Sequence, residues 1–349
     1  MTLRLYDNYG GILQNYALCR CLAAMGHSVE SFSLQRPMSV RRTLRDAVRR
    51  KSGAERAAER AIGGFIRRNI PQTVYKIRFP FQFGVDPRVQ AYDAYIVGSD
   101  QVWRRPFMEY GLKNMFLGFV RGEDKVRLSY GASFGLDNVG EYSADDIRTA
   151  SECLSRFNGV SVREDTGVGI CRNVFGRDAV QVLDPTLLLP TACYGELAGQ
   201  GTRSNEGDLL AYLLDMTDMK KQVLVETVAC GKYTPFSYNT LCRGAASPSV
   251  QQWLKGYKDA RFVVTDSFHG CVFSIIFNKP FIVIGNEGRG LSRFSSLLSL
   301  LGLENRLLNS FDTEAVRRLV QADIDWTDVN NRLAVLREKS ISFLKEGLS

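Results

Sequence analysis

The chain has 349 residues, of which 45% are hydrophobic and 23% are charged, and these are ordinary values for a globular protein. This composition excludes a collagen, a disulfide-rich miniprotein and a disordered tail, and the length predicts two domains. The formal net charge is +8, and it arises within residues 36–68, where ten Arg and one Lys stand against three acidic residues. We therefore expect a near-neutral body with one basic segment, and not a protein that binds polyanions in general.

Eight cysteines are scattered along the chain without a CxxC pair or a histidine cluster, so neither a metal site nor a disulfide framework is predicted. Isolated cysteines of this kind are typical of buried, reduced thiols, which indicates a cytoplasmic protein. The first residues contain no apolar signal-peptide core, and no apolar run reaches the roughly 18 residues that span a bilayer. We expect a cytoplasmic location, in solution or on the inner face of the plasma membrane.

Short apolar segments alternate with helical patterns along most of the chain, which predicts parallel sheets with right-handed crossovers. The strand-like segments are Thr2–Tyr6, Ser28–Leu34, Tyr95–Val97, Val126–Tyr130, Gly159–Val162, Val180–Leu183, Leu209–Leu214, Phe262–Thr265 and Phe281–Ile284. The helical patterns are Ile12–Met25, much of 36–68, Ala144–Phe157, a helix from about Asp218, Phe268–Phe277, Leu291–Leu301, Thr313–Val320 and Asn331–Leu344.

The segment Pro190–Gly207 is rich in Gly, Thr, Ser and Asn, and we predict that it links two domains. The expected fold class is α/β, with two Rossmann-like, doubly wound domains that face a cleft. Their predicted extents are residues 1–190, including a basic excursion over 36–68, and residues 207–349.

Ligands of open α/β sheets bind beyond the carboxyl ends of strands, and two loops of the first domain are candidates on this ground. Asn8, Gly10 and Gly11 precede a helix, and paired glycines let a backbone approach a ligand closely, although a plain tight turn accounts for them as well. Asp100 and Trp103 follow the strand Tyr95–Val97 and suit a polar pocket with a ring that stacks on a sugar. The alternative is a helix cap with Trp103 in the core.

Arg163 ends the strand Gly159–Val162 and is followed by a predicted helix. A guanidinium in this place offers paired donors to a carboxylate or a phosphate, so Arg163 is a candidate anion-binding residue. Glu164 and Asp165 suit the first turn of the helix by their charge alone, which favours a structural role for them.

The sharpest candidate is His269, one of two histidines, which lies where the strand Phe262–Thr265 meets the next helix. Gly270 beside it allows close approach of a ligand. A bound dianion, or Asp266 if it is near enough, would favour the imidazolium and make His269 a general acid. The alternative is a capping or packing histidine. Cys271 could act as a nucleophile, but an inward-facing core residue is favoured.

Six segments in this order resemble the polysaccharide pyruvyl transferase family. They are Asn8-Tyr-Gly-Gly-Ile-Leu-Gln-Asn-Tyr-Ala-Leu18, Tyr92-Asp-Ala-Tyr-Ile-Val-Gly-Ser-Asp-Gln-Val-Trp103, Ser129-Tyr-Gly-Ala-Ser133, Val160-Ser-Val-Arg-Glu-Asp165, Leu183-Asp-Pro-Thr-Leu-Leu188, and Val264-Thr-Asp-Ser-Phe-His-Gly270 with Asn278-Lys-Pro280. The resemblance covers about residues 8–300. It implies a fold like that of the GT-B glycosyltransferases, and transfer of pyruvate from phosphoenolpyruvate onto a sugar as a cyclic ketal, with release of phosphate.

The resemblance also implies site residues, since Arg163 and His269 match positions that the family uses for donor binding and catalysis. Ser267 departs from the family, in which many members carry a basic residue two positions before the histidine. The resemblance therefore places the donor on Arg163, Ser267, His269 and Gly270, with Arg289 and Arg293 as further cations. The opening strand is also shorter than is usual in the family, which suggests a start upstream of Met1.

In the expected mechanism, His269 protonates the methylene carbon of phosphoenolpyruvate, and two hydroxyls of one sugar then close the ketal and displace phosphate. Neither a metal nor a cofactor is required. The acceptor is expected on the N-terminal domain, at Asn8, Gly10, Gly11, Asp100 and Trp103. The acceptor would be a sugar in the precursor of a bacterial surface or capsular polysaccharide (exopolysaccharide). In one version of this hypothesis the precursor is linked to a lipid. The alternatives are a nucleotide-sugar-dependent GT-B glycosyltransferase and a non-catalytic glycan-binding protein.

The basic segment 36–68 lacks the interleaved aromatic residues and the motifs of a nucleic-acid-binding surface. Its apolar positions follow a helical pattern and are Val40, Leu44, Val48, Ala54, Ala58, Ile62, Phe65 and Ile66. A basic amphipathic helix of this kind predicts contact with an anionic membrane surface. The alternative is a solvated, Arg-rich excursion of the first domain.

Overall fold

The computed structural model describes residues 1–35, 53–202, 207–238, 247–285 and 290–349. The described chain divides into two compact units. The first contains residues 1–35, 66–188 and 335–349, and the second contains the described parts of 53–65 and 189–334. This division differs from the predicted domains 1–190 and 207–349, because the last 15 residues belong to the first unit and 53–65 belong to the second.

The first unit consists of parallel strands with helices between them. Its strands are β1 (Ser31–Leu34), β2 (Gln72–Ile77), β3 (Ala94–Val97), β4 (Val126–Ser129), β5 (Ser161–Val162) and β6 (Val180–Gln181). Its helices are α1 (Tyr9–Ala24), α3 (Gln82–Val85), α4 (Leu112–Met115), α5 (Ala144–Leu154) and α6 (Asp165–Phe175), while α2 (Gly53–Asn69) has residues in both units.

The strands of the first unit pair in parallel as β1–β2, β3–β4 and β5–β6. Single bridges from Ala132 to Asp100 and to Val162 continue the pairing at the carboxyl ends of β3 and β5. The loops that follow β3, β5 and β6 therefore meet at one edge, as the alternation in the sequence predicts. A core rich in aromatic rings, including Phe32, Phe83 and Phe119, supports this arrangement.

The predicted strand Thr2–Tyr6 is wrong, because residues 2–8 form bends and irregular structure that lead into α1. Met1 runs beside β3: its amine donates to the Ile96 carbonyl oxygen at 2.6 Å, and Gly98 N–H donates to the Met1 carbonyl oxygen at 3.0 Å. A cavity of about 380 Å³ lies next to it, lined by residues of α1, β1 and β3. The described strands of this unit form three two-stranded pairs.

The second unit is a parallel five-stranded sheet with helices in its crossovers. Its strands are β7 (Leu209–Tyr212), β8 (Pro235–Phe236), β9 (Phe262–Thr265), β10 (Phe281–Ile284) and β11 (Leu307–Leu308). Its helices are α7 (Thr191–Gly199), α8 (Asp218–Gly231), α9 (Val250–Asp259), α10 (Phe268–Ile276), α11 (Ser292–Leu301) and α12 (Thr313–Gln321), and α13 (Trp326–Leu348) has residues in both units.

The spatial order of the sheet is β8-β7-β9-β10-β11, and every pair is parallel. The chain thus moves outward in one direction from β7 to β8 and in the other from β9 to β11. In such doubly wound sheets the ligand binds where the direction changes, beyond the carboxyl ends of the two central strands. These are β7 and β9 here. The expected α/β class, with two doubly wound units of parallel strands, is confirmed.

The predicted linker Pro190–Gly207 is wrong over its first half, where Thr191–Gly199 forms α7. Tyr194, Leu197 and Ala198 are buried at helical spacing, and the Tyr194 ring meets Phe273 edge-on at 5.1 Å. Residues 203–206 lie outside the described chain. The packing of these side chains within the second unit therefore stabilises a helix here, although the small and polar residues of the segment favour a linker.

Helix α2 separates its apolar from its basic residues. Ala58, Ile62, Phe65 and Ile66 are buried, whereas the arginines of the helix are exposed. The apolar face that was predicted to lie in a membrane is thus covered by protein over these residues. Val40, Leu44 and Val48 lie outside the described residues, as does the side chain of Ala54.

Gly98 offers a test of the first unit, since it has φ +130° and an added Cβ would lie 2.1 Å from the Tyr130 carbonyl oxygen. We predict that Gly98→Ala lowers the free energy of unfolding by about 2 kcal/mol or more, because backbone atoms must move. Gly195→Ala is the control, since nothing lies within 4 Å of its added Cβ in α7. It should be neutral or stabilising. If denaturant-unfolding curves showed the same change in the free energy of unfolding for Gly98→Ala and Gly195→Ala, the close approach of Gly98 to the Tyr130 carbonyl would be contradicted.

Candidate active site

Thr265, the last residue of β9, joins the two central strands of the second unit to helix α10. Its hydroxyl donates to the Tyr212 carbonyl oxygen of β7 at 2.7 Å and accepts from Ser267 N–H at 3.1 Å. A Cβ on Gly270 would lie 2.2 Å from the same oxygen, so glycine is required for this approach. Ser267 caps α10 by accepting from Gly270 N–H at 3.3 Å. The amino end of α10 is thereby held at the point where the strand order changes direction.

His269 lies in the first turn of α10 and is buried, with 6% of its surface exposed. Its ring meets Phe268 edge-on at 5.3 Å. The Arg293 guanidinium, also buried, lies 5.7 Å from the centre of the Phe268 ring. The structure therefore brings His269, Ser267, Gly270 and Arg293 to one region. Arg289 lies outside the described residues.

A buried lysine, Lys220 of α8, occupies the same edge of the sheet. Its ammonium donates to Asp266 Oδ2 at 2.6 Å and also to the Asp215 carboxylate. The other Asp266 oxygen accepts from Leu214 N–H at 2.6 Å. Burial lowers the pKa of Lys220, but the hydrogen bonds to Asp215 and Asp266 outweigh it, so that the pKa lies above its ordinary value.

Asp266 therefore pairs with Lys220, and its support of a His269 imidazolium stays a prediction. Sequence reasoning missed Lys220 altogether. Its position after the capping Thr217, in a helix that follows β7, was the available signal. Asp266, its partner, is 46 residues further along the chain.

Cys271 faces the core, as the favoured alternative predicted. Its side chain is fully buried in α10, and burial raises the pKa of the thiol well above its ordinary value. A thiolate is the nucleophilic form of cysteine, so this side chain is unsuited to nucleophilic catalysis.

In the first unit, Arg163 is surrounded by carboxylates at the carboxyl edge of the strands. Its guanidinium donates to Asp184 Oδ2 at 2.9 Å, to Glu164 Oε1 at 3.3 Å and to Asp100 Oδ1 at 3.5 Å. We call these four residues the Arg163 cluster. Burial on its own lowers the pKa of Arg163, but Glu164, Asp184 and Asp100 together raise it above its ordinary value.

The Arg163 cluster corrects the expected role of Arg163. With one guanidinium among three carboxylates its formal charge is negative, and the arginine side chain is only 3% exposed. A multiply charged anion such as a phosphorylated carboxylate would meet repulsion there. Arg163 is thus placed to orient carboxylates, and donor binding by Arg163 is not supported by its surroundings.

Asn8 lies next to this cluster and caps α1. Its side-chain oxygen accepts from Gly11 N–H at 3.2 Å, and its amide nitrogen donates to Asp100 Oδ2 at 3.4 Å. Gly10 and Gly11 belong to the first turn of α1, so they have helical backbone instead of the tight turn considered for them. An added Cβ on Gly11 would lie 3.1 Å from the Asn8 amide nitrogen, so the glycine leaves room for the capping side chain. Contact of these residues with an acceptor stays a prediction.

The expectation that Trp103 stacks on a sugar is wrong. The side chain is fully buried, its ring is stacked on Phe116 at 4.9 Å, and its indole N–H donates to the Met115 carbonyl oxygen at 3.1 Å. The alternative, Trp103 in the core, holds. Asp100, three residues earlier, is turned into the Arg163 cluster by a backbone with φ +66°.

Within the described residues, no three or more His, Cys, Asp or Glu side chains are grouped as metal ligands. No helix in the described part of the chain combines the length and the apolar character needed to cross a bilayer.

The Arg163 cluster predicts a large effect on stability. Replacing Arg163 by methionine leaves three carboxylates facing one another without their cation, and we expect a loss of about 3–5 kcal/mol in the free energy of unfolding. The loss should shrink as the pH falls, because protonation removes the repulsion. Arg172→Met is the control, since its partner Asp178 is 89% exposed and the pair should contribute less than about 1 kcal/mol. Urea-unfolding curves at several pH values test this, and an Arg163→Met protein as stable as the control would contradict it.

Lys220 predicts a pH dependence. A raised pKa means that its contribution to stability is present below the unfolded value of about 10.5 and is lost as the pH rises through the higher folded value. In Lys220→Met this alkaline loss should be absent, and the protein should be less stable at neutral pH. The control is Lys221→Met, since that side chain is 61% exposed and pairs with an exposed aspartate. Alkaline slopes that are the same in Lys220→Met and in the wild type would rule out the assigned pairing.

We compared the sequence and the structure of this chain with those of known proteins. No curated protein matches the sequence. Among solved structures, UDP-GlcNAc 2-epimerase from Neisseria meningitidis is 8% identical, with 97% of this chain and 98% of that chain covered and a TM-score of 0.48. A UDP-glucosyltransferase from Polygonum tinctorium is 12% identical, with 99% and 96% covered and a TM-score of 0.40. The family model described as polysaccharide pyruvyl transferase matches residues 8–288, which include β7, β9 and His269. The chain therefore belongs to the polysaccharide pyruvyl transferase family, a family of transferases.

Proposed function

We propose that this protein transfers the pyruvyl group of phosphoenolpyruvate to a sugar of a bacterial surface polysaccharide precursor, forming a cyclic ketal and releasing phosphate. Membership of the family supports the transferase reaction. The observation that carries the assignment is His269 at the amino end of α10, where the strand order changes direction and where Gly270 brings the helix against Thr265.

The reaction requires a proton donor for the methylene carbon of phosphoenolpyruvate and groups that bind the negative charge of this donor substrate. Protonation of the methylene carbon of phosphoenolpyruvate makes its C2 electrophilic, and a sugar hydroxyl attacks that carbon. A second hydroxyl of the same sugar then displaces phosphate and closes the ring. The proton of the attacking hydroxyl replaces the one that the general acid gave to the methylene carbon. The proton of the second hydroxyl leaves with the phosphate, so the reaction balances without a further reactant.

In this proposal the donor binds to the second unit. His269 is the general acid, the first turn of α10 offers backbone N–H groups to the phosphate, and Arg293 supplies a cation. Ser267 keeps its part as the cap of the helix. Lys220 is a positioning residue, because it holds Asp266 and thereby the turn between β9 and α10.

The acceptor is assigned to the first unit, at Asn8, Gly11 and Asp100. A negatively charged cluster suits a neutral sugar, whose hydroxyls donate to carboxylates. Asp100 has the longest contact to Arg163, 3.5 Å against 2.9 Å for Asp184, so it is the carboxylate that we assign to orient the attacking hydroxyl by accepting its hydrogen bond. Arg163 then positions Asp100 and does not bind the donor.

The acceptor would be a lipid-linked oligosaccharide at the inner face of the plasma membrane. The buried apolar face of α2 removes that helix as the surface that meets the membrane. A nucleotide-sugar-dependent glycosyltransferase is the second candidate, because Ser267 stands where many members of the family carry a basic residue.

The test is transfer of carbon-labelled pyruvate from phosphoenolpyruvate to undecaprenyl-diphosphate-linked oligosaccharides, followed by mass spectrometry of the product and by phosphate release. With an active acceptor, we predict that His269→Ala lowers the rate by about 10²–10⁴-fold, as expected for loss of a general acid. His27→Ala is the matched control, since the other histidine is exposed just after the turn that follows α1 in the first unit. It should leave the rate unchanged.

Three outcomes would contradict the proposal. Full phosphate release by His269→Ala would remove the assigned acid. Release of a nucleoside diphosphate from nucleotide sugars, without use of phosphoenolpyruvate, would favour the glycosyltransferase. Saturable binding of the oligosaccharide with turnover of neither donor would indicate a glycan-binding protein.

A further inference from the structure

The first unit exposes large apolar side chains on β2 and on the short segment that follows it. Val74, Phe79, Phe81 and Val85 are four of the eleven large hydrophobic side chains that are exposed in the described structure, and they lie within 12 residues. Phe81 is 64% exposed and stacks on Phe79 with ring centres 5.6 Å apart. We call Phe79, Pro80, Phe81 and Val85 the aromatic loop. Single exposed apolar residues need no explanation, but a group of this kind marks a contact surface.

The backbone around the aromatic loop is held by side-chain hydrogen bonds, some from the same segment and some from residues elsewhere in the unit. Gln82 Oε1 accepts from the N–H groups of Arg78 and Phe79, both at 2.7 Å. The Asn114 amide donates to the Pro80 carbonyl oxygen at 2.9 Å, and Arg121 donates to the Gly84 carbonyl oxygen at 2.5 Å. Backbone groups that are satisfied by protein can leave water at low cost, which is the condition for entering an apolar phase.

Positive charge surrounds the loop. Lys76 and Arg78 precede it on the chain and are exposed. A depression of about 600 Å³ beside Phe81 is lined by Lys113, Arg121 and Arg156 and by no acidic residue of the described chain. Arg156 also lies 3.5 Å from Glu123. Asp86 pairs with Arg88, so that acidic side chain is neutralised locally.

The residue that precedes the basic segment 36–68 in the sequence contacts the strand that leads into the aromatic loop. Gln35, the last described residue before it, donates its N–H to the Ile77 carbonyl oxygen at 2.7 Å, at the end of β2. Arg36 follows Gln35 directly. The last described residue before the basic segment is therefore paired with the end of β2, where β2 leads into the aromatic loop.

We infer that the aromatic loop and the basic residues around it form a contact site for an anionic lipid bilayer. Phenylalanine rings enter the interface between headgroups and acyl chains, while lysine and arginine reach the headgroups. Three observations favour this occupant over a protein partner: the satisfied backbone, the pair of exposed rings and the positive rim. The inference deepens the proposed membrane location, yet it does not depend on the identity of the donor.

The experiment is co-sedimentation of the full chain with phosphatidylcholine vesicles that contain or lack phosphatidylglycerol. The wild type should bind the anionic vesicles, and the double variant Phe79→Ser/Phe81→Ser should bind about tenfold more weakly or worse. Lys76→Gln/Lys113→Gln should weaken binding to the anionic vesicles alone. Phe81→Trp should bind at least as well as the wild type, because tryptophan favours the interface.

The matched control is Val225→Ser in α8, a side chain of the second unit that is 67% exposed, close to the value for Phe81. It should leave vesicle binding unchanged. Wild-type protein that does not sediment with anionic vesicles, a double phenylalanine variant that binds like the wild type, or equal binding to neutral vesicles would each overturn the inference. Phosphate release in solution reports separately on the proposed function, so failure of one does not imply failure of the other.

Discussion

Each unit contains a buried cation that is held by carboxylates at the carboxyl edge of its strands, and the loops of both units are arranged around this pairing. Arg163 draws together the residues that follow β3, β5 and β6, and Lys220 joins the loop after β7 to the turn after β9. A buried charge without its partner costs several kcal/mol, so these loops cannot move independently of one another. The parallel strands bring the loop ends to one edge, and the ion pairs determine which side chains meet there.

This pairing limits the chemistry that each unit can support. Both cations are held by carboxylates of their own units, which is why the proposed reaction assigns the negative charge of the donor to the first turn of α10 and to Arg293. The Arg163 cluster is negative and lies beside Asn8, which suits hydroxyl groups and disfavours anions. The two candidate sites thus differ in charge: three carboxylates surround Arg163 in the first unit, and Arg293 lies beside the first residue of α10 in the second.

The sequence predicts elements whose signal is local and misses contacts that depend on distant residues. The strands Phe262–Thr265 and Phe281–Ile284 have the same bounds in prediction and structure, because each is an uninterrupted run of apolar, strand-favouring residues. Strand β2 was overlooked although its residues alternate between buried and exposed. Trp103 was misassigned, since a residue type near a strand end does not reveal which way a side chain turns. Two of the three partners of Arg163, Asp184 and Asp100, lie 21 and 63 residues away, and no spacing rule connects them to it.

The charge of the chain illustrates the same limit. A helical pattern of apolar and basic residues over 36–68 favours a membrane-binding helix, but a buried face on the protein and a buried face on a bilayer require the same sequence pattern. In α2 the apolar residues are covered by protein and the arginines face outward. The exposed apolar residues lie instead in the aromatic loop, where the sequence shows no periodicity. The exposed apolar residues and the basic residues therefore belong to different parts of the sequence, and Gln35, the residue before the basic segment, donates its N–H to the last residue of β2.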